Sequence, residues 1–447
     1  MKETSERNGY VELLRALAIA LVVIGHWLIT ALEREPDGSL AAPELMATVP
    51  WTQWLTLLFQ IMPVFFLAGG YAAAGSWSRC RAEGGTAAGW IRGRALRLLL
   101  PTGAYLVPAL GGLLVAAAAG ADPALLGMIG WALAMQFWFL PVYLTISALT
   151  PWLYALHRRW GPGSVVLLAA AGIGVDVLAL GSDAGWAERV GRLNYLLVWA
   201  VAYQLGFAWR DGGRTVRPWF GAALAAGGAA GYAALVGLGP FPVSLVLVSG
   251  EVVSNTNPPS LAMLAWLLAQ CGVCLLLAPF AKRALRPVRR QGFVGPLGRA
   301  SMTLYLWHMV PVLVAGAAFY LTDLAPEPEL GSAAWWAWRP VWILVLAALF
   351  GLLLVALRPV DRLLIRLALR ARPQAAIDGA RRPAVLVAGV AGTVWALAHW
   401  AVQGLAPNGS PDWSTVLAFT VGSVLVATAA GPWAAAEATE TAVRQGS

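Results

Sequence analysis

The 447-residue chain is 59% hydrophobic and 12% charged, with a mean hydropathy of +0.68. Soluble domains carry about 25% charged residues, so this composition excludes a soluble globular protein and indicates a chain whose solvent is lipid. The net charge of +9 is compatible with a nucleic-acid partner, and the placement of the basic residues along the chain decides that question.

Apolar stretches of about 17–25 residues divide the chain into twelve predicted transmembrane helices. The expected fold class is all-α: a polytopic transmembrane helix bundle with ten core spans and a C-terminal two-span hairpin. The predicted spans are roughly 10–32, 51–76, 98–119, 128–156, 164–180, 194–209, 219–238, 261–281, 300–322, 340–357, 384–402 and 413–433.

Lysine and arginine concentrate in the segments that face the cytoplasm if the N-terminus lies inside. The external segments then hold only Arg34, Arg189, Arg192 and Arg339 of the 31 basic residues. This distribution follows the positive-inside rule. It predicts a multi-pass protein of the cell membrane with both termini cytoplasmic, whose partner is the lipid bilayer and not nucleic acid.

The first span contains two ionisable residues, Arg15 and His26, in the stretch "LLRALAIALVVIGHWL". Ionisable groups inside a membrane are costly and mark functional sites. Eleven residues correspond to three helical turns plus 20°, so both side chains project from one face, about 16 Å apart along the axis. Arginine near the inner surface can also snorkel to the headgroups, and a histidine can simply bond to a neighbouring helix.

An aromatic pair and a double glycine follow in the second span, as Phe65, Phe66, Gly69, Gly70 and Tyr71. Glycines in a span permit close backbone approach or a local break in the helix. Helix packing is the commoner use of this pattern, and a binding pocket is the alternative.

Arginines stand at the cytoplasmic entrance to the third span, in "WIRGRALRLLLP". Arg94 and Arg97 are three residues apart and share a helix face, with Arg92 nearby. Paired guanidinium groups suit phosphate oxygens. The general excess of basic residues on the cytoplasmic side of a membrane protein explains these arginines equally well.

Polar groups recur in the fourth and ninth spans. "QFWFLPVYL" places Trp138 and Phe139 in the fourth, and "SMTLYLWH" places Ser301, Tyr305 and His308 at spacings of four and three on one face of the ninth. A hydroxyl, a phenol and an imidazole on one apolar face form a credible polar site. A Ser–His nucleophile pair would also need an acidic partner, and none lies close in sequence.

The remaining segments complete the predicted domain organisation: a ten-span domain (1–357), a basic amphipathic segment (358–383), a two-span hairpin (384–433) and a disordered cytoplasmic tail (434–447). The basic segment is either a helix on the inner membrane surface or a continuation of the tenth span. Cys271 and Cys274 form "CGVC" inside an apolar span, which indicates packing rather than redox chemistry, and no metal site is expected.

Five of these features occur together in a fixed order that resembles the acyltransferase-3 family over roughly residues 7–357. Three features depart from its usual pattern: Gly69 stands in place of serine, Gln136 stands where a histidine commonly precedes "WF", and the proline follows Arg97 by four residues rather than the commoner three. The features are the arginine and histidine of the first span, "FFLAGGY" at 65–71, "RALR" at 94–97, "WF" at 138–139 and "SMTLYLWH" at 301–308.

The resemblance implies a ten-span bacterial membrane enzyme that transfers an acyl group, usually from acyl-CoA, to a hydroxyl of a carbohydrate, cell-wall polymer or secondary metabolite. Acyl-CoA is then a donor substrate, and no bound cofactor is expected. By resemblance His26 is the catalytic histidine and Arg15 its motif partner, while Arg94 and Arg97, with Arg92 near them, hold the CoA phosphates.

Three further residues are candidates for the hydroxyl acceptor. Glu251 and Asn255 lie in the polar external segment "SGEVVSNTNPPS", and Asp176 lies near the outer end of the fifth span. Such side chains can bond to sugar hydroxyls, but a plain connecting loop is the commoner interpretation.

The rival function is a transporter or flippase, in which the membrane histidine and arginine line a substrate path. A transporter typically has interrupted helices. The only sequence sign of an interruption is the glycine pair of the second span.

Overall fold

The computed structural model describes residues 8–36, 38–182, 184–285, 301–320, 322, 324, 326–370 and 382–429, with backbone alone at 214, 216, 361–362 and 364–370. These residues are mainly helical. A single two-stranded antiparallel sheet among them pairs Glu33 with Ala41 and Arg34 with Leu40. The predicted all-α polytopic bundle is confirmed.

The secondary structure elements follow one another with short connections along most of the chain. They are α1 Gly9–Ile29, β1 Glu33–Arg34, β2 Leu40–Ala41, α2 Leu45–Thr48, a 3-10 helix Pro50–Leu55, α3 Thr56–Phe59, α4 Met62–Ala82, α5 Ala87–Ala118, α6 Pro123–Ala134, a 3-10 helix Met135–Trp138, α7 Phe139–Ala148, α8 Thr150–Trp160, α9 Gly163–Leu180, α10 Gly185–Gly191, α11 Asn194–Asp211, a 3-10 helix Gly213–Val216, α12 Pro218–Leu238, α13 Leu261–Ala284, α14 Ser301–Trp307, α15 Val310–Tyr320, α16 Ala333–Arg370, α17 Arg382–Gln403 and α18 Trp413–Thr428.

Within the described ranges, ten helical stretches are long and apolar enough to cross a membrane. They match the predicted spans except two, 194–209 and 413–433, which form α11 and the 16-residue α18. From Val198 to Trp209 every residue of α11 is buried. A helix enclosed by protein can carry polar residues such as Gln204 without facing lipid, which explains why α11 is less apolar than the other spans.

The first of two compact units comprises residues 1–75, 152–301 and 327–340. Its α12 and α13 approach so closely that a Cβ added at Gly221 would lie 2.4 Å from the Leu276 nitrogen, and one at Gly272 would lie 2.3 Å from the Ala225 nitrogen. Small residues allow such close packing between membrane helices.

The second compact unit comprises residues 76–151, 302–326 and 341–447. In it α17 packs against α6, α7 and the 3-10 helix between them, while α18 packs against α17 and α5. The loop between α17 and α18 joins the same packing, because the Leu405 N–H donates to the Gly130 carbonyl at 3.0 Å. The C-terminal hairpin is therefore built into this unit.

The basic segment that follows the tenth predicted span continues the same helix, since α16 runs without interruption from Ala333 to Arg370. Of the two alternatives for this segment, the structure favours the continuation up to Arg370. Residues 371–381 and the predicted disordered tail, 434–447, lie outside the described residues. The predicted domain boundaries stay predictions.

Three predicted spans are interrupted. The second breaks at Gln60 and Ile61 before α4, the fourth passes through the 3-10 helix Met135–Trp138, and the ninth breaks at His308 and Met309. The glycine pair at 69–70 lies inside the continuous α4. The expectation that an interruption would occur only at those glycines is therefore wrong.

Candidate functional site

His26 lies in the last turn of α1, three residues before the helix ends at Ile29. Its Nδ1 is 2.8 Å from the carbonyl oxygen of Val22, one turn earlier in the same helix. A carbonyl accepts but cannot donate, so Nδ1 carries a proton, and in the neutral imidazole Nε2 then carries the lone pair. In this tautomer the imidazole presents a proton-accepting nitrogen, as a general base requires.

The backbone around His26 is held from two sides. Thr30 donates to the His26 carbonyl through both its N–H (3.0 Å) and its Oγ1 (2.6 Å), and Arg339 donates to the Thr30 carbonyl at 2.7 Å. A Cβ added at Gly25 would lie 3.0 Å from the Phe59 ring, so α1 packs closely on the segment just before the break at 60–61.

Arg15 sits in the second turn of the continuous α1, so the predicted common face with His26 follows from helix geometry. Its Nη1 is 3.7 Å from the Glu12 carboxylate, and the side chain is about one-third exposed at 29%. A partly exposed pair at this distance contributes little to stability. The guanidinium is thus available for a further anionic partner.

The aromatic and glycine motif of the second span forms a crossing between α4 and α11. A Cβ at Gly70 would lie 2.0 Å from the Tyr203 carbonyl oxygen, and one at Gly206 would lie 2.3 Å from the Leu67 carbonyl oxygen. Phe66 is fully buried and stacks on Trp199 at 5.2 Å. The structure favours helix packing as the reason for this motif.

Tyr71 ends the motif and faces a small polar cluster. Its hydroxyl accepts from Asn8 Nδ2 at 3.1 Å, and the guanidinium of Arg210 lies over its ring at 5.1 Å. A Cβ at Gly75 would lie 2.3 Å from the Arg210 Cζ. The sequence did not predict a role for Arg210, because nothing in its spacing links it to the motif.

The break in the second span is held by the loop that follows α12 and by α13. Gln60 Nε2 donates to the Leu245 carbonyl at 2.9 Å, and the Leu245 N–H donates to Thr56 Oγ1 at 2.9 Å. Trp266 donates to the Leu57 carbonyl at 3.1 Å. The side chains of Gln60 and Thr56 thus bond to the backbone of Leu245, and the Leu57 carbonyl finds its partner in α13.

The three arginines of α5 have different environments. Arg92 is buried, and its Nε and Nη2 both donate to the Ala427 carbonyl, at 3.1 and 2.8 Å. Arg94 donates to Ser76 Oγ at 2.7 Å and lies over the Trp90 ring at 5.0 Å. Arg97 is exposed. This favours a structural role for Arg92, in place of the predicted contact with CoA.

The interrupted fourth and ninth spans meet at a buried polar cluster in the second unit. The Tyr305 hydroxyl donates to the Gln136 carbonyl, and Gln136 Nε2 donates to the carbonyls of Leu133 (3.0 Å) and Leu306 (3.3 Å). Tyr105 also donates to the Leu133 carbonyl, at 2.8 Å. The side chain of Gln136, absent from the predicted site, thus bridges both breaks.

His308 lies at the break of the ninth span and is fully buried. Its Nδ1 is 2.7 Å from the Tyr305 carbonyl, so it shares the tautomer of His26. Phe139 packs edge-on against the Tyr305 ring at 5.5 Å and against Trp138 at 6.3 Å. Ser301 begins α14 and is buried. The predicted common face ends at Trp307, because the helix does not continue through His308.

Two of the three predicted acceptor residues, Asp176 and Asn255, have structural partners in the first unit. Asp176 accepts from the Leu261 N–H at 2.8 Å, at the start of α13. Asn255 donates to the Pro242 and Ser244 carbonyls and accepts from Ser260. These bonds favour loop and helix-end roles for both residues.

Glu251, the third predicted acceptor residue, lies in the same loop between α12 and α13 as Asn255. Burial, with the nearby carboxylate of Glu44, raises its pKa above the ordinary value for glutamate. The Glu44 carboxylate itself accepts from the Ser249 N–H at 3.1 and 3.2 Å. A site for an anionic ligand is thus disfavoured beside these two carboxylates.

A hydrogen-bonded histidine–aspartate pair lies outside every sequence motif. His157 Nε2 is 2.9 Å from the Asp211 carboxylate, and the His157 side chain is almost completely buried. Tyr154 and Phe207 pack around the imidazole. The residues are far apart in sequence, so only the packing of α8 on α11 brings them together.

The described residues contain no group of three or more His, Cys, Asp or Glu side chains arranged to hold a metal ion. The chain was also compared with known proteins. A model of the acyltransferase-3 family, described as an acyltransferase domain, matches residues 8–358. No curated protein and no solved structure matches. The matched region contains all five motifs, and it ends before the C-terminal hairpin.

Proposed function

Because the chain belongs to the acyltransferase-3 family, we propose that this multi-pass membrane acyltransferase uses acyl-CoA to modify a hydroxyl. The acyl group is an acetyl or another short chain. The acceptor is a carbohydrate, a cell-envelope component or a secondary metabolite. The enzyme lies in the cytoplasmic membrane with both termini inside, as the arginine distribution predicts.

The observation that carries this proposal is the tautomer of His26. Its Nδ1 proton is held by Val22, so Nε2 accepts the proton of the acceptor hydroxyl while that oxygen bonds to the thioester carbonyl carbon. The tetrahedral intermediate then breaks its C–S bond. The CoA sulfur takes the proton from His26, giving an ester and a free thiol with no net change in protons.

Arg15 acts on another part of the donor. A rise of 1.5 Å per residue separates the Cα atoms of Arg15 and His26 by about 16 Å, so the two side chains do not reach the same reacting atom. We assign Arg15 to an anionic part of a donor that lies along α1, with its thioester at His26. Its weak pairing with Glu12 leaves the guanidinium available for this contact.

Arg94 and Arg97 bind phosphate groups of the donor. The side chain of Arg94 is pre-ordered by Ser76 and by the Trp90 ring, which lowers the entropy lost when phosphate binds. Arg92 acts through the backbone of α5 rather than by contact. Tyr305 also has a positioning role, because the Gln136 carbonyl holds its proton. His308 and Ser301 are assigned to the acceptor side.

The test is CoA release from acetyl-CoA with a panel of glycan and metabolite acceptors. We expect His26→Gln to lower turnover by about 10²- to 10⁴-fold, the range typical of a general base, with the donor KM unchanged. Ile24→Ala, at an exposed apolar position of the same helix, is the matched control. Equal turnover in His26→Gln and wild type would exclude His26 as the base.

One observation favours the alternative function, a transporter or flippase for a polar or lipid-linked substrate. Interrupted spans are typical of transporter binding sites, and the second, fourth and ninth spans are interrupted. Reconstituted vesicles distinguish the two functions. Movement of a labelled substrate without thiol release supports transport, whereas thiol release that depends on the acceptor supports acyl transfer.

A further inference from the structure

A cavity of about 530 Å³ lies at the loop between α17 and α18. Its volume falls within the range of small-molecule sites, roughly 300–1,000 Å³. Besides two prolines, its walls carry side chains that form hydrogen bonds: His399, Gln403, Asn408, Ser410 and Asp412. None of these residues belongs to the motifs used in the proposed reaction.

The loop that forms the cavity has a fixed backbone. Gly404 and Gly409 have φ values of 79° and 76°, which favour glycine. A Cβ at Gly409 would lie 2.7 Å from the Pro123 Cα, and one at Gly404 would lie 2.9 Å from the Trp131 Cα. Both glycines thus let the loop lie directly on the backbone of α6.

The polar side chains at one end of the cavity are also held in place. The Asp412 carboxylate accepts from the Ser414 N–H at 3.0 Å and from Thr415 Oγ1 at 2.6 Å. His399 stacks on Trp395 at 5.2 Å, and its Nε2 is 3.5 Å from the Asp412 Oδ2. Binding to such a pre-ordered wall loses little side-chain entropy.

The chemistry of the lining selects the class of ligand. Among the described residues that line it there is no lysine or arginine, and the Asp412 carboxylate repels anions, so a phosphate is disfavoured. Two amides, a hydroxyl, an imidazole and a carboxylate offer donors and acceptors side by side. A sugar ring presents hydroxyls that both donate and accept, and it matches this mixture.

We propose that this cavity binds a neutral sugar unit of the acceptor, at a docking subsite separate from the reacting hydroxyl. The assignment of the sugar to the acceptor rests on the proposed function. The subsite lies in a hairpin beyond the matched family region, 8–358. It therefore sets the acceptor specificity of this chain. The predicted topology places the loop outside, where envelope glycans are exposed.

Binding is measured without any acyl donor, by ligand-observed NMR on the full-length protein in phosphatidylcholine nanodiscs free of glycoside detergents. The probes are maltotriose and chitotriose, with an alkyl maltotrioside to distinguish a lipid-linked source from a free one. The double variant Gln403→Ala, Asn408→Ala removes two exposed amides for which the described residues provide no hydrogen-bond partner. Thr420→Ala, an exposed change on α18, is the matched control.

We expect at least one probe to bind wild type and the control, and the double variant to raise its Kd about ten-fold, since each hydrogen bond contributes about 0.5–1.5 kcal/mol. Equal affinity in the double variant, or no binding of any probe to wild type, would overturn the subsite. In turnover assays the same variant should raise the acceptor KM and leave the donor KM unchanged. Sugar binding without any acyl transfer would count against the proposed function alone.

Discussion

The guanidinium of Arg92 donates two hydrogen bonds to the carbonyl oxygen of Ala427, at 2.8 and 3.1 Å. Ala427 is the penultimate residue of α18, where helix carbonyls lack partners within the helix. A cation there also interacts favourably with the helix dipole. The C-terminal hairpin is thus tied to the turn of α5 that precedes Arg94.

Replacement of Arg92 by alanine should destabilise the protein. The change leaves the Ala427 carbonyl without its partner and opens a cavity beside a buried site, so we expect the free energy of unfolding to fall by about 2–3 kcal/mol. Thermal unfolding in nanodiscs measures it. Arg97→Ala, at an exposed position of the same helix, should change stability by less than about 0.5 kcal/mol. Equal effects of the two variants would show that the Arg92 contact contributes nothing.

Replacement of Arg94 by alanine should weaken donor binding. A charged hydrogen bond contributes about 1.5–3 kcal/mol, so the KM for acyl-CoA should rise roughly ten- to a hundred-fold, with little change in the acceptor KM. Steady-state thiol release at saturating acceptor measures it. Arg79→Ala, an exposed arginine at the end of α4, is the control. If both changes raise the donor KM equally, Arg94 does not bind the donor specifically and contributes only to the positive-inside charge distribution.

Replacement of Gly206 by alanine should disrupt the first unit. The added Cβ would lie 2.3 Å from the Leu67 carbonyl oxygen and 2.6 Å from the Tyr71 nitrogen, so α4 and α11 must separate. Such overpacking typically costs about 1–3 kcal/mol, measured as a lower midpoint of thermal unfolding. Gly111→Ala meets nothing within 4 Å and should be neutral or slightly stabilising. A Gly206→Ala variant with wild-type stability would contradict the described crossing.

Protonation of Asp412 should loosen the start of α18. Hydrogen bonds from Thr415 and Ser414 hold the pKa of its carboxyl below the ordinary value, so the stabilisation is complete above the unfolded-state pKa of about 3.9 and disappears as the pH falls through the folded-state pKa. Asp412→Asn should therefore melt below wild type at pH 7 and converge with it in acid. Glu188→Gln, in an exposed pair with Arg192, is the control. A difference in melting temperature between Asp412→Asn and wild type that stays constant across this pH range would show that protonation of Asp412 does not affect stability.

The sequence by itself determined which segments are helical and where the ionisable residues of α1 lie. A helix that crosses the lipid must be long and apolar, and its backbone N–H and C=O groups must be hydrogen-bonded within the protein. The apolar stretches of the sequence are therefore sufficient to locate the helices. The common face of Arg15 and His26 follows from helical geometry alone, because α1 is continuous. Family membership likewise followed from short motifs in a fixed order.

Only the tertiary structure decided which partners the arginines of α5 contact. Arg92 and Arg94 are two residues and about 200° apart on the helix, and in the sequence both look like positive-inside charges. One faces the end of α18 and the other faces Ser76.

The tertiary structure also decided where the second span is interrupted, at residues 60–61 before α4. The side chains of Thr56 and Gln60 beside this break bond to the backbone of Leu245, far along the chain. No local pattern encodes a contact whose energy depends on a distant segment folding against it.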